Sequence, residues 1–396
     1  MIALVYILAA WGLGYRLRSC LLPRPDFVDS LSEQTPALRK LPRSLLLLPM
    51  DLLIGLTLGT TVVYFAARLL GYFFPAGNWF PGALLWGLCL CLLGLFLLRI
   101  SKLAKGGDAI QRGGRRLFPT LIVVSSSVLL LAFALFLTRK TYFLEGQTLQ
   151  AGYTVFSDLS PHSALVRSFG AGGKLLTDYP HFAGAGLNYH FFFYFLGGIL
   201  NAGGLPLDWA INLPSILGTL AFGSALGYSA VLLSGKVYAW PLSLLLFAFR
   251  SSFSGFVLFF EHLAMGLTWS EALEQLRQAD AYAGPLLHDD WGLYNLNVYA
   301  NQRHLLWGLA IVLFLLLLFL PALRDGQGLR SFGEKQAWQS DSVGAVLYPA
   351  LVVFPLSYWH GSATIALLLV LAFWALWSRE RLRFLVTGLS AVTGAF

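Results

Sequence analysis

The segment Tyr153–Phe192 reads YTVFSDLSPHSALVRSFGAGGKLLTDYPHFAGAGLNYHFF and follows a long apolar run. It carries Asp158, His162, Arg167, Asp178, His181 and His190, while most of the chain on either side suits a hydrocarbon environment. The protein has 396 residues, 57% hydrophobic and only 12% charged, where soluble domains carry about 25% charged residues. Apolar runs of the length that crosses a bilayer recur along it. The pattern predicts an all-α, polytopic integral membrane protein with about nine transmembrane helices and additional outer juxtamembrane helices. The polar segment then needs a reason to exist, and an outward-facing reaction site supplies one.

The net charge of +8 does not point to nucleic acid. The basic residues sit at the ends of apolar runs, where topology places them. Three cysteines exclude a disulfide framework. Cys89 and Cys91 lie inside an apolar run and read as membrane-packed thiols. The opening MIALVYILAAWGLGY lacks a basic leading region and reads as a short first span, not a removable signal.

Charge asymmetry sets the orientation. Arg16, Arg18, Arg24, Arg39, Lys40 and Arg43 mark the cytoplasm, as do Arg99 to Arg116, Lys236, the loop near Lys335 and Arg379 to Arg383. The runs near 45–74, 84–100, 117–137, 210–233, 237–249 (a short run, or one continuing to Phe260), 305–320, 343–359 and 362–377 are the spans. Only one crossing fits between His181 and Lys236, and Ala210–Leu233 is long enough for it. Tyr189–Leu200 is therefore expected to be an outer juxtamembrane or re-entrant helix, tolerated where protein or a wet cavity covers it. Thr268 and Glu271 are spaced as a capping box and predict a surface helix. Phe384–Phe396 starts a further span and stops after about 13 residues, or ~20 Å of helix, so the chain is expected to be cut inside it. With this topology all seven histidines fall on the outer side, which suits proton chemistry.

Asp158 and His162 are four apart and share a helix face, with Arg167 extending the patch. The carboxylate can act as general base, or Asp158 and His162 can ligate a divalent cation such as Mg or Mn, or Asp158 can simply cap a solvated helix. Arg167 and Lys174 can hold a phosphate or anchor an interface. Tyr189, Phe191, Phe192, Phe193, Tyr194 and Phe195 suit an interfacial aromatic belt by default. A sugar or lipid platform is the sharper alternative.

An apolar span, FSDLSPHSALVRSF, YPHFAGAGLNYHFFF and a Leu-rich span beginning INLPSILG follow one another here, with NQRHLLWGLA and SYWHGSATIALLLV further on. In this order the chain resembles the GT-C superfamily of membrane glycosyltransferases, bacterial multi-span members above all, from about Leu117 onward. That resemblance implies transfer of a sugar from a polyprenyl-phosphate carrier to an acceptor on the outer side. The implied location is the cell inner membrane with a periplasmic or extracellular active face. It puts an acidic residue of the first outer loop at the acceptor or a metal: Asp158 here, with Asp178 second. The loop carries no Asp-x-Asp or Glu-x-Asp pair, which weakens the metal role.

Three further stretches join the site on this reading. His162, His181 and His190 shape the acceptor and phosphate region. Arg303 can fork onto the carrier phosphate beside His304, and His360 can close the same cavity. Arg303 and His304 can equally anchor a helix end at the interface. His288, Asp289 and Asp290 read as a solvated cluster. The division is residues 1–116 as accessory spans with basic loops, then 117–396 as the GT-C-like module with outer loops 138–209 and 251–303. Expected partners are membrane lipid, a polyprenyl-phosphate-linked sugar and other membrane subunits. The rival readings are a non-catalytic subunit of a membrane assembly and a lipid or polysaccharide transporter.

Overall fold

In the computed structural model, α1 (Ile2–Leu21) lies along α4 (Ser44–Phe73), with α2 (Phe27–Gln34) and α3 (Pro36–Arg39) between them. The described residues are 2–22, 27–73, 117–152, 155–171, 179, 182, 184, 186–187, 189–248, 254–278, 294–324, 332–340 and 342–395. Helices α1 and α4 touch backbone to backbone: a Cβ on Gly14 would collide with the Asp51 carbonyl, and one on Gly55 with that of Ala10. Small residues permit this approach, which packs helices where lipid offers no hydrophobic drive.

The next helix, α5 (Leu117–Thr141), runs straight into a hairpin of β1 (Tyr142–Glu145) and β2 (Thr148–Ala151). Glu145 pairs with Thr148, leaving a two-residue turn whose first residue, Gly146, has φ 61°. This matches the turn type that wants glycine first. The sequence reading expected only an irregular loop here.

The remaining helices are α6 (Phe156–Ala171), α7 (Phe192–Ala202), α8 (Leu207–Ser234), α9 (Ala239–Ala248), α10 (Ser254–Ala264), α11 (Trp269–Gln278), α12 (Tyr294–Asn301), α13 (Leu305–Arg324), α14 (Val343–Val353), α15 (Leu356–Trp359), α16 (Gly361–Trp377) and α17 (Arg381–Thr393). Among the described residues the fold is all-α apart from the hairpin and an isolated bridge between Tyr179 and Phe182. Four described helices, within Ser44–Leu70, Leu117–Thr141, Leu207–Ser234 and Leu305–Leu323, are long and apolar enough to cross a membrane. Shorter apolar helices include α7, α9, α16 and the pair α14–α15. The run 343–359, expected as one span, is interrupted at Phe354–Pro355, where proline removes a donor and clashes with the preceding turn. The expected span at 84–100 lies outside the described residues.

One buried apolar core joins the helices, from Ala3 near the start to Ala391 near the end. The helices before residue 74 share it with those after 117. Trp307 Nε1 on α13 donates to Thr57 Oγ1 on α4 at 2.9 Å, and Tyr64 packs against Phe191, Phe192 and Phe195. Those phenylalanines are 0–6% exposed. The stretch expected as an interfacial belt is instead protein core, because α7 lies against α6, α8 and α4. The capping box stands as expected: Glu271 accepts from the Thr268 backbone N–H, and Thr268 Oγ1 from that of Glu271.

Candidate functional site

Three helices begin within a few ångströms of one another, and each is preceded by a histidine. His190 stands before α7, His304 immediately before α13, and His360 is the N-cap of α16. Their rings lie 4.2 Å (190 to 304), 5.1 Å (304 to 360) and 5.4 Å (190 to 360) apart. The unsatisfied N–H groups of a helix start carry a partial positive charge and favour anions nearby. Here three starts share one place. The parallel stack of Trp307 on Trp359, 4.6 Å between centroids, packs next to them. From α6, His162 reaches the same cluster and stacks on Tyr194 at 4.3 Å.

The hydrogen bonds fix much of the tautomer pattern. His304 Nε2 lies 2.5 Å from His190 Nε2, and His304 Nδ1 lies 3.2 Å from the Tyr194 hydroxyl. One of the two Nε2 atoms carries the proton and donates it to the other. Tyr194 also bonds the Tyr189 hydroxyl. His360 Nδ1 accepts from the Ala363 N–H at 3.0 Å, so a neutral His360 carries its proton on Nε2. His162 Nδ1 is buried with no partner among the described residues.

Beside the imidazoles sits Arg303, 3% exposed. Its Nε donates to Ala300 O (2.6 Å), Nη1 to Asn212 Oδ1 (2.7 Å) and Nη2 to Thr141 Oγ1 (2.7 Å). All three acceptors are neutral. A guanidinium has five N–H donors, so two remain. Among the described residues no carboxylate forms an ion pair with it. Buried charges are ordinarily paired. The nearest buried acid, Asp208, is otherwise engaged: its Oδ2 accepts from Arg139 Nη1 and the Leu144 N–H, both at 3.1 Å. Asp208 thus pins the hairpin to α8, as does Asn212, whose Nδ2 donates to Tyr142 O. Tyr142 in turn bonds Ser163 at 2.5 Å. The hydrogen of Ser163 goes to Leu159 O, so Tyr142 is the donor.

Burial dominates the electrostatics. It holds His190 down to about 4, helped by His360, and His162 to about 3, helped by His190 and Arg303. His304 lies well below its ordinary value for the same reason, with the other three histidines adding to it. Burial also lowers His360. All four are neutral at pH 7. Burial lowers Arg303 to about 10, which still leaves it charged.

Six residues singled out from sequence therefore meet: His162, Tyr189, His190, Arg303, His304 and His360. Others do not. Asp158 opens α6 with an exposed side chain and forms no ion pair or hydrogen bond among the described residues, and its charge raises Tyr189 and Tyr194. Asp158 and His162 share helix α6, the first exposed and the second buried. Among the described residues no group of three or more His, Cys, Asp or Glu is arranged to hold a metal ion. Arg167 is exposed and bonds Asn201 Oδ1 at 3.4 Å, away from the cluster. Lys174, Asp178, His181 and His288 to Asp290 lie outside the described residues.

Sequence reading missed Asn212, Thr141, Tyr142 and Asp208. Polar residues inside or just beyond apolar runs were the available signal, and Asn212 stands in the quoted INLPSILG. No family model matches the chain, and neither the curated proteins nor the solved structures contain a match.

Proposed function

We propose that this chain is a membrane glycosyltransferase of GT-C-like build, with about nine spans. On this reading it moves a sugar from a polyprenyl-phosphate carrier to an acceptor on the outer face of the inner membrane. The observation that carries the reading is Arg303, a buried guanidinium with no carboxylate partner among the described residues and two N–H donors to spare. A phosphate oxygen is the charge-assisted acceptor it lacks. Three helix starts and the Nε2–H of His360 supply further positive potential. Asn212 and Thr141 hold the guanidinium plane, and the hairpin holds Asn212. Asp158 and Tyr189, at the rim, suit the acceptor side.

The test is binding and transfer with the full chain in lipid nanodiscs. Arg303→Met should weaken binding of a polyprenyl monophosphate by about 100-fold or more, the cost of removing one partner of a buried charged hydrogen bond. Transfer from polyprenyl-phosphate-linked hexose or pentose should be lost with it. Wild-type protein that binds no polyprenyl phosphate overturns the reading. A second reading, a non-catalytic relative within a membrane assembly, is favoured by one observation: no described carboxylate touches the histidine cluster. Lipid-phosphate binding without transfer from any such donor would select it.

A further inference from the structure

Sugar transfer from a lipid phosphate releases a proton, and that proton needs an acceptor. The expected base, Asp158, is exposed and touches none of the buried imidazoles. We propose that His190, backed by His304, takes the proton that the acceptor hydroxyl loses, so that the site gains one positive charge as the carrier phosphate gains one negative charge. This rests on the glycosyltransferase reading and names the base within it.

The hydrogen-bond pattern singles out His190. Both nitrogens of His304 are engaged, by His190 and by Tyr194. His360 has its Nδ1 occupied by the Ala363 N–H and can only donate through Nε2. The Nδ1 of His162 is buried where no described residue meets it. His190 alone combines an engaged Nε2 with a half-buried ring whose Nδ1 bonds no described residue. A proton on Nδ1 makes an imidazolium whose Nε2–H points at His304. The charge then spreads over two rings while Tyr194 orients the second.

The step balances. The bond from the anomeric carbon to the phosphate oxygen breaks, and its electron pair stays on the phosphate. The bond to the acceptor oxygen forms, and the acceptor's proton goes to His190 Nδ1. The carrier changes from a phosphodiester with one negative charge to a monoester with nearly two. Arg303 balances the first charge and the His190–His304 pair the second.

The groups facing His190 fit this use. His162 on α6, Tyr194 on α7, His304 before α13 and His360 before α16 are all neutral at pH 7, and Arg303 is the cation. The Asp158 charge acts on Tyr189 and Tyr194. No permanent anion among the described residues pre-protonates the pair, so burial keeps it neutral until a phosphate dianion arrives and favours the charged form.

Calorimetry in two buffers of different ionisation enthalpy tests this on the full chain in nanodiscs. At pH 7, binding of a polyprenyl monophosphate should take up about one proton per lipid, because the dianion lifts the pair through neutrality. Its methyl diester should bind with no uptake. In His190→Gln the monophosphate should bind more weakly and without uptake, and sugar transfer should fall about 100-fold. Asp158→Asn should keep the proton uptake on monophosphate binding. Monophosphate binding without proton uptake in the wild-type protein overturns the role of His190 and leaves the glycosyltransferase reading standing. So does proton uptake that persists in His190→Gln. Absence of any lipid-phosphate binding overturns both. The wild-type comparison of the two lipids needs no variant to fold.

Discussion

Arg18 and Arg303 are both buried, and they are buried differently. Arg18 on α1 forks onto Asp51 of α4, Nε to Oδ1 at 2.6 Å and Nη2 to Oδ2 at 2.9 Å. The pair sits where the two backbones touch, and its charge is cancelled inside the protein. Arg303 meets a carbonyl, an amide and a hydroxyl, and no described carboxylate cancels its charge. A cancelled charge fixes two helices. An uncancelled one, surrounded by helix starts and by groups that hold or share protons, is fit to receive an anion. Identical side chains thus carry architecture at one end of the chain and, on the reading proposed above, chemistry at the other.

The largest effect should come from breaking the cancelled charge. Asp51→Asn strands Arg18 and should cost about 3–5 kcal/mol, read as a lower unfolding midpoint in detergent. Arg18→Met with Asp51→Leu should recover most of that loss. If the single variant is as stable as the parent, the two arginines do not differ as described. Arg303→Met should cost less without ligand, about 1–3 kcal/mol, because it abandons only neutral acceptors. Added polyprenyl monophosphate should raise the midpoint of the wild type and not of this variant.

The gentlest effect is a slope with pH. Buried His162 has a folded value of about 3 against 6.5 unfolded, so below pH 6.5 the unfolded chain binds more protons. Its contribution is whole above pH 6.5 and is lost progressively down to about 3, about 1 kcal/mol by pH 5.5. His162→Gln should flatten the midpoint-versus-pH curve between 7.5 and 5. An unchanged slope would place His162 in water.

Much of the fold was readable because long apolar runs bounded by charge leave one interpretation. The ends of α8 and α13 fall within four residues of the runs read at 210–233 and 305–320. The capping box was equally local. The hairpin was missed because its signal is short: a Gly-Gln step between YFLE and TLQA, beside a far stronger membrane run. Asp51 was missed because one acid in an apolar run declares no partner, and Arg18 was counted among the cytoplasmic basic residues. The aromatic stretch 189–195 was assigned to an interface on composition, yet composition cannot tell lipid headgroups from a protein core. His190, Arg303, His304 and His360 were each visible as polar residues at the edge of an apolar run. That they meet is tertiary, and no spacing in the chain encodes it.

The dispersal of that cluster along the polypeptide has a consequence for biogenesis. Its members come from positions 162, 190, 303, 304 and 360, so a nascent chain must deliver α16 beside the others before the constellation exists. The Arg18–Asp51 clasp can close as soon as α4 leaves the ribosome. The protein's earliest helices can thus lock while its reactive centre is still unformed, and a chain released before residue 360 would keep its scaffold but lack the imidazole of His360.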